Sequence, residues 1–391
     1  MQGHLKYPPE PLILLDIISR DGPYRLDNIN PAKLLELANQ HDIAALVFNR
    51  LEEYKAALPQ DIYAELKSGC LFTLIKNQGF WNEFLEINRQ FRQANISFVP
   101  IKGMDTLIRT YPKLDLRSLA DIDILIKEEE FELAQNLLDR MGYQKKLGGL
   151  KESYWKQKQC HVKFYKEPWL VEIHWGLDFK RDQTVILPRL WERTKEITTG
   201  GNRITVLSAE DAFFAFALHQ RRFGDIFGLK QVLDVAGIIN KTSGFDWGYV
   251  LEESRSGQMR STAYFMLKQA RLFSNVDIPD YVFKKLNLAR WQARAIERII
   301  IKSTFQNPAA LKNNYLKAHF LLYDDIKEPL GYIINIPYEQ FCKFYDLTPY
   351  SRRADLLYCL RLFYSPFRFL LQHIFRPALR FIENNGYRKK A

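Results

Sequence analysis

Apolar residues recur at every third or fourth position over the first part of the chain, from Pro31 to about Asn95. This spacing predicts amphipathic helices, because it brings the apolar side chains onto one face of a helix. Polar residues ending at Asn30 supply capping groups for the first of them, and "LPQD" from Leu58 marks a break before another. We therefore predict a helical lobe over residues 1–95.

The pattern then changes to shorter apolar runs. The run "ISFV", followed by Pro100 and Gly103, predicts a strand that leads into a tight turn. Three further strands are predicted by "DIDILI", "HVKFYK" and "WLVEIHWGL", and beyond Ser208 the spacing is helical again. The chain is thus expected to be α+β, with a small mixed β-sheet core over residues 96–205 and a C-terminal helical lobe over residues 206–350.

The composition is that of a folded protein with a sizeable core, since 47% of the 391 residues are hydrophobic. The four cysteines lie far apart and none forms a CxxC pair, so neither a zinc site nor a disulfide framework is predicted. The N-terminus lacks the features of a signal peptide, and we expect a cytoplasmic chain. The net charge of +11 favours partners that carry phosphate groups, nucleic acid or anionic lipid.

Two carboxylates interrupt the apolar run "SLADIDILI". In a strand, Asp121 and Asp123 project from the same face about 7 Å apart, an arrangement that suits a divalent cation, above all Mg²⁺. Glu172 is a third carboxylate in an apolar strand. If the two strands are neighbours, the three carboxylates converge on one or two ions, as in two-metal phosphoryl chemistry. Taken alone, a DxD motif is more often a solvated strand end.

A phosphate-binding half of the site is expected just before these carboxylates. Lys102 and Gly103 form a turn that leads into a helix N-terminus, where backbone N–H groups bind anions. Arg117 stands four residues before Asp121, within reach of the same phosphates, and Ser118 follows it. The combination predicts a polyphosphate site next to a metal site.

These residues resemble the nucleotidyltransferase superfamily whose core is shared with DNA polymerase beta. More narrowly, the chain is similar to a bacterial family of nucleotidyltransferases, in which a "KG" turn, an "R...DID" stretch, a "GY" and an "E(I/L)HW" strand recur in this order. The close resemblance covers about Ile96 to Gly237. One departure is the Lys102-Gly103 pair, where the wider superfamily usually has Gly-Gly or Gly-Ser.

The resemblance implies a reaction and its participants. A nucleoside triphosphate, with ATP expected only as the commonest donor, would bind with two Mg²⁺ ions, for which Mn²⁺ substitutes. An acceptor hydroxyl would attack the α-phosphorus and pyrophosphate would leave. By position, Asp121, Asp123 and Glu172 are implied as catalytic metal ligands, and the phosphate-binding residues as Lys102, Gly103, Arg117 and Ser118. The identity of the acceptor is not readable.

Weaker candidates lie on the acceptor side of the cleft: His174, His219, Arg221 and Arg222. His174 stands beside Trp175 on a half-buried strand, where a structural role is the favoured interpretation. For the arginines, ordinary helix-surface charge is the favoured one. His161 and Lys163 share one face of the preceding strand, which is interpreted as a solvated face.

The last segment, residues 351–391, carries nine Lys or Arg against two acidic residues. Leucines and aromatics separated by arginines at helical spacing suit a helix lying on an anionic membrane surface, here the inner membrane surface. Packing of the same helices on the helical lobe is narrowly favoured. Nucleic acid is not expected as a partner, because no RNA-binding signature accompanies the basic residues.

Two alternatives to nucleotidyl transfer stay open. The first is a phosphotransferase that acts at the γ-phosphorus and releases a nucleoside diphosphate. The second is a non-catalytic protein that retains the fold and binds membrane or a partner. The three carboxylates argue against the second alternative, because a protein without a metal has no use for a repulsive cluster.

Overall fold

The computed structural model of the chain describes residues 6–147, 159–178, 189–223, 228–306, 318, 320–334, 336 and 338–364. The described part begins with helices α1 (Pro9–Ser19), α2 (Pro31–Gln40), α3 (Ala44–Leu51) and α4 (Gln60–Gln93). The side chain of Asn30 caps α2 by accepting a hydrogen bond from the Lys33 N–H at 3.2 Å. The helical character predicted for this part of the chain is confirmed.

A five-stranded mixed sheet follows, with strands in the order β1-β2-β5-β4-β3. Its strands are β1 (Phe98–Pro100), β2 (Ile122–Ile126), β3 (Gln144–Lys146), β4 (His161–Lys166) and β5 (Trp169–His174). Strands β2 and β5 are parallel, and the other pairs are antiparallel. Helix α5 (Lys102–Arg109) joins β1 to β2, and α6 (Phe131–Arg140) follows β2. The predicted α+β class is confirmed.

A second, two-stranded sheet was not predicted from the sequence. It is a hairpin of β6 (Lys195–Thr199) and β7 (Asn202–Val206). Gly200 and Gly201 form its turn with φ of 53° and 77°, the left-handed conformation that tight hairpins require. The Gly-Gly pair was therefore the available signal. The β6 side chains are mostly exposed or half-buried, so that strand lacks a marked apolar alternation.

Helices occupy most of the described chain after the hairpin. They are α7 (Ala209–Phe223), α8 (Leu229–Lys241), α9 (Trp247–Ser256), α10 (Arg260–Phe273), α11 (Asp280–Leu286) and α12 (Arg290–Ser303). The Ser208 hydroxyl accepts a hydrogen bond from the Asp211 N–H at 3.1 Å, which confirms the predicted helix start.

The chain divides into two compact units, Met1–Asp324 and Asp325–Ala391. In the second unit the structure describes α13 (Lys327–Ile334), α14 (Tyr338–Tyr345), α15 (Arg352–Cys359) and a helical turn at 361–364. The rest of the predicted basic C-terminal segment, residues 365–391, lies outside the described residues. Among the described residues, no helix combines the length and apolarity needed to span a bilayer.

The long helix α4 connects two apolar cores of the first unit. Leu66, in its first half, belongs to a core formed mainly by helices. Phe84 and Phe91, in its second half, belong to a core beneath the five-stranded sheet. Between them, the Asn77 side chain donates a hydrogen bond to the Arg117 carbonyl at 2.7 Å. Helix α4 thereby supports the segment that leads into β2.

Candidate active site

Strands β2 and β5 bring two of the three predicted carboxylates together. They are parallel neighbours, and their register places Asp123 directly opposite Glu172. Side chains of paired residues in such a ladder lie on the same face of the sheet, about 5 Å apart at the backbone. Both carboxylates are buried. This pairing is the condition on which the predicted convergence of carboxylates depended.

One cavity of about 300 Å³ joins the predicted metal and phosphate residues. It is lined by Lys102, Gly103, Arg117, Asp121, Asp123 and Glu172. Asp121 precedes the first residue of β2 and is half-buried, so it lies nearer the solvent than Asp123. The cavity therefore has an inner carboxylate pair and an outer carboxylate.

The turn before α5 departs from the prediction in one respect. Lys102, not Gly103, takes the left-handed conformation, with φ of 51°. Gly103 is required for a different reason, since a Cβ there would lie 2.9 Å from the guanidinium carbon of Arg117. The Lys102 ammonium donates a hydrogen bond to Asp123 Oδ1 at 2.8 Å. The turn thus places a lysine on the carboxylates and a glycine beneath the arginine.

Arg117 lines the cavity, but its guanidinium has a buried protein partner. It donates to Asp234 on α8 through Nε at 3.1 Å and Nη2 at 2.9 Å, and to the Ser118 carbonyl through Nη1 at 2.9 Å. Asp234 also accepts a hydrogen bond from the Tyr111 hydroxyl. The guanidinium thus joins the segment before β2 to α8, and the predicted phosphate role of Arg117 stays a prediction.

Ser118 does not line the cavity and instead contacts Asp42. Its hydroxyl donates to Asp42 Oδ2 at 3.2 Å, and the Lys230 ammonium on α8 bonds to the same carboxylate. Lys230 itself lines the cavity. Ser118 therefore contacts the protein at the cavity margin, where its predicted phosphate role stays a prediction.

His174 lies against both inner carboxylates. Its Nε2 is 2.8 Å from Asp123 Oδ1 and 3.5 Å from Glu172 Oε2. Burial and the Lys102 ammonium both disfavour a charged imidazole, but hydrogen bonds to Asp123, Cys160 and Glu172 outweigh them and raise the pKa of His174 to about 9. At neutral pH the ring is a cation in this arrangement.

The three carboxylates differ in their protonation. Burial alone would raise the pKa of Asp123, yet Lys102 and His174 hold it below its ordinary value. Burial opposes ionisation of Glu172 too, and hydrogen bonding to His174 together with the charges of His174 and nearby cations lowers its pKa. Among the residues that the structure describes, Asp121 has no such direct partner. Burial, reinforced by the negative charges of Asp123 and Glu172, raises its pKa to about 7. The inner pair is ionised, whereas the outer carboxylate titrates near neutrality.

The interpretation of His161 and Lys163 as a solvated face is wrong for His161, whereas the Lys163 side chain is 46% exposed. His161 is buried, and its ring stacks on His174 with centroids 4.9 Å apart. The Lys163 ammonium binds Glu172 Oε1 at 2.7 Å. Because β4 pairs with β5, these side chains project into the cavity beside Glu172. Their alternation with apolar residues was visible in the sequence, but their neighbour was not.

The predicted acceptor-side residues are dispersed. His219 on α7 lines the cavity. Arg221 is buried elsewhere, where its Nε donates to Asp178 at 2.9 Å and its guanidinium lies over the Tyr323 ring. Arg222 lies in α7, but its side chain is outside the described part of the chain. The structure thus brings His219 to the cavity, places His174 against two of the carboxylates that line it, and puts Arg221 in a buried ion pair.

Several cavity residues were missed by sequence reasoning. Besides Lys230, they are Phe216 on α7 and Gln231 on α8. Lys230 and Gln231 lie in the stretch "ALHQRRFGDIFGLKQVLDVAG", and Phe216 immediately precedes it. The resemblance covered these positions without assigning roles within α8. Helix α8 completes the cavity from a part of the chain more than one hundred residues after β2. No local sequence pattern shows that α8 lies beside the sheet.

Two groups of buried side chains offer ligand atoms close enough together to hold one metal ion. The first consists of Asp123, Glu172 and His174, and the second of Cys160, His161 and His174. The ligand atoms within each group lie within 4.8 Å of one another. Asp121 belongs to neither group, although it lines the same cavity.

A family model described as "Uncharacterised nucleotidyltransferase" matches residues 27–275. The matched range contains the five-stranded sheet and every predicted site residue. No curated protein matches the chain. The match supports nucleotidyl transfer as the general reaction and a nucleoside triphosphate as substrate. Because it covers more than half of the 391 residues, the chain belongs to this family of uncharacterised nucleotidyltransferases.

Proposed function

We propose that the protein is a metal-dependent nucleotidyltransferase, which transfers a nucleoside monophosphate from a nucleoside triphosphate to a hydroxyl-bearing acceptor. The observation that carries the proposal is the pairing of Asp123 with Glu172 across parallel strands, inside a cavity that also holds Lys102 and the start of α5. In a member of a nucleotidyltransferase family, this is where catalytic carboxylates and a triphosphate would meet.

The donor chemistry at the cavity fits a divalent ion. Asp123 and Glu172 are buried carboxylates on one sheet face, both ionised, with Asp121 lining the same cavity. These three residues would hold the metal, and the Lys102 and Lys163 ammonium groups that now bind the inner pair would turn to the triphosphate. When bound, Mg²⁺ or Mn²⁺ supplies charge neutralisation of the phosphates and a lower pKa for an attacking hydroxyl.

The chain's own cations support triphosphate binding. Lys102, Lys163 and Lys230 line the cavity, and N–H groups at the start of α5 adjoin it through Lys102 and Gly103. Cations held in a partly enclosed site stabilise developing negative charge more strongly than they do in water. In this proposal Arg117 holds the turn against α8 through its hydrogen bonds to Asp234.

The transfer itself balances without further reactants. The acceptor oxygen forms a bond to the α-phosphorus while the bond from that phosphorus to the bridging oxygen breaks. Pyrophosphate leaves with the electron pair, and the acceptor proton passes to solvent. Attack at the γ-phosphorus instead would release a nucleoside diphosphate, so the products distinguish the two reactions.

Nucleotide binding can be tested before any acceptor is known. We would measure the melting temperature with each of the four ribonucleoside triphosphates, with Mg²⁺, Mn²⁺ or EDTA, for wild type and Asp123→Asn. Ligand binding to the folded state raises the melting temperature by mass action. We expect metal-dependent stabilisation by at least one triphosphate, lost in the variant. No response to any triphosphate would favour a non-catalytic binding protein.

A second proposal concerns the C-terminal segment, which we propose contacts an anionic membrane surface. Leu356, Leu360 and Phe363 are spaced by four and three residues, and their side chains are 61%, 46% and 79% exposed. We call these three residues the apolar ridge. Within the described part of its own unit the ridge is uncovered, and an exposed apolar surface of this kind supports membrane contact.

The positive charge around the ridge indicates which kind of membrane surface it would bind. Arg352 and Arg353 are exposed at the start of α15, and residues 351–391 carry nine Lys or Arg against two acidic residues. An apolar ridge flanked by cations suits the boundary between anionic headgroups and acyl chains. A bilayer that contains anionic lipid is therefore the proposed occupant.

A further inference from the structure

We infer that the active-site cavity coordinates a first-row transition-metal ion through Asp123, Glu172 and the imidazole of His174, instead of presenting Mg²⁺ with an all-oxygen set. The inference rests on the proposed function only in that the site must bind a metal. It goes beyond that function by naming the class of ion and by making His174 a ligand.

The first support is the position of the imidazole nitrogen. His174 Nε2 is 2.8 Å from Asp123 Oδ1 and 3.5 Å from Glu172 Oε2. Ligands about 2.1 Å from an octahedral ion lie about 3 Å from their neighbours in the coordination shell. The nitrogen therefore lies close to the ligand-to-ligand spacing from Asp123 and somewhat beyond it from Glu172.

The second support is that His174 has little freedom to leave. Its side chain is 2% exposed, and its ring stacks on His161 with an interplanar angle of 18°. Glu172 and His174 are two residues apart on β5, so the strand itself directs both side chains to the same face. An ion bound by Asp123 and Glu172 would meet the imidazole unless the sheet rearranged.

Donor chemistry then selects the ion. Mg²⁺ prefers oxygen ligands and keeps several waters, whereas imidazole suits iron, nickel, copper and zinc ions. A set of two carboxylates and one imidazole is therefore better matched to a transition-metal ion. The ring would have to be neutral to bind, because the metal ion takes the lone pair of the imidazole nitrogen.

A neighbouring group of side chains offers an alternative metal site. Cys160, His161 and His174 form the second group of potential ligands, and Cys160 Sγ is 3.9 Å from His161 Nδ1. Because both groups contain His174, an ion would occupy one group or the other. Only the second group would add a thiol ligand, from Cys160.

Cobalt and manganese report the ligands directly. The full chain, freed of metal with a chelator, would be titrated with Co²⁺ while its absorption spectrum is recorded. We expect saturable d–d bands without a thiolate-to-cobalt charge-transfer band. In the Mn²⁺-loaded wild-type protein, pulsed EPR should show hyperfine coupling to an imidazole nitrogen, a measurement that needs no variant.

Substitutions then test whether His174 supplies the nitrogen ligand. His174→Gln should lower Co²⁺ affinity relative to Mg²⁺ affinity by about 10- to 100-fold or more, the range seen when even indirect metal partners are lost. His219→Gln, which changes another histidine of the same cavity, should leave that ratio unchanged. Circular dichroism would check that both variants are folded.

Each other outcome has a separate meaning. A charge-transfer band that disappears in Cys160→Ser would move the ion to the second group and overturn the ligand assignment. Metal binding without nitrogen coupling would overturn the inference, while triphosphate-dependent stabilisation by Mg²⁺ would leave the proposed function standing. Failure to bind any metal, with or without triphosphate, would overturn both.

Discussion

Arg117 and Asp234 form a buried ion pair that joins the segment before β2 to helix α8. Two guanidinium nitrogens donate to the carboxylate at 2.9 and 3.1 Å, and the Asp234 side chain is fully buried. The guanidinium also covers Gly103 at the start of α5. A helix distant in sequence thus holds the turn that places Lys102 on Asp123.

Removal of the Asp234 charge should destabilise the fold. We expect Asp234→Asn to lower the free energy of unfolding by about 3 kcal/mol, because it leaves the buried Arg117 without a counter-charge. Asp280→Asn is the matched control, since Asp280 pairs with Arg271 while its side chain is 71% exposed. The control should cost less than about 1 kcal/mol. Equal losses in urea denaturation would contradict a structural role for the buried pair.

A side chain at Gly103 should disturb the phosphate turn. In Gly103→Ala the new Cβ would lie 2.9 Å from the Arg117 guanidinium carbon, and Asp234 prevents that guanidinium from moving aside. We expect a loss of about 1–3 kcal/mol in stability and weaker stabilisation by triphosphate. In contrast, Gly69→Ala on α4 meets nothing within 4 Å and should raise stability by up to about 1 kcal/mol. If both variants behaved alike, packing against Arg117 would not be the reason for Gly103.

The buried His41 should make stability depend on pH. Burial lowers its pKa to about 4 from the ordinary 6.5, and its Nδ1 accepts a hydrogen bond from the Leu229 N–H. Between these values the unfolded chain binds a proton that the folded chain does not, so the free energy of unfolding falls as the pH falls from about 6.5 towards 4.

His41→Asn tests this dependence, because asparagine retains an acceptor but does not titrate. Between pH 7.5 and pH 5, wild type should lose about 2 kcal/mol more stability than the variant, as measured by urea denaturation. Parallel pH profiles for the two proteins would show that His41 is protonated equally in the folded and unfolded states.

The apolar ridge should determine binding to lipid vesicles. We expect the full chain to float with vesicles that contain phosphatidylglycerol, and less so at high salt, where attraction between charges is screened. The double variant Leu360→Ser/Phe363→Ser should reduce the bound fraction about tenfold or more, since each lost side chain forfeits on the order of 2 kcal/mol of burial.

Leu133→Ser provides the control, because Leu133 on α6 is 46% exposed, as is Leu360. It should bind vesicles as wild type does. Undiminished flotation of the double variant would place membrane contact elsewhere. No flotation of wild type with anionic vesicles would refute the membrane proposal and leave a protein partner as the occupant of the ridge.

The elements that were predicted correctly depend on short-range patterns. The strand "HVKFYK" is β4, residue for residue, and Ser208 caps α7 as expected. Both follow from side-chain alternation or from a hydrogen bond three residues away. The hairpin of β6 and β7 was missed because exposed strands carry little apolar alternation, although the Gly-Gly turn marked its position.

The site was only partly predictable for the same reason. Alternation indicated that Glu172 and His174 share a face, but it could not show that β4 and β2 flank β5 on its two sides. His161 and Lys163 on β4 therefore looked like a solvated face. The phosphate role of Arg117 stays a prediction, but no local pattern indicated its partner Asp234, which lies 117 residues further along the chain.

By itself, the sequence determined the α+β class and the family, and it predicted carboxylates and cations that line one cavity of the structure. These depend on local periodicity, turn residues and motif spacing, which a single chain displays directly. Only the tertiary structure decided which charges face one another: His174 on Asp123 and Glu172, Lys163 on Glu172, and Arg117 on Asp234. Charge partners are chosen by strand order and helix packing, and both bring together residues that no local pattern connects.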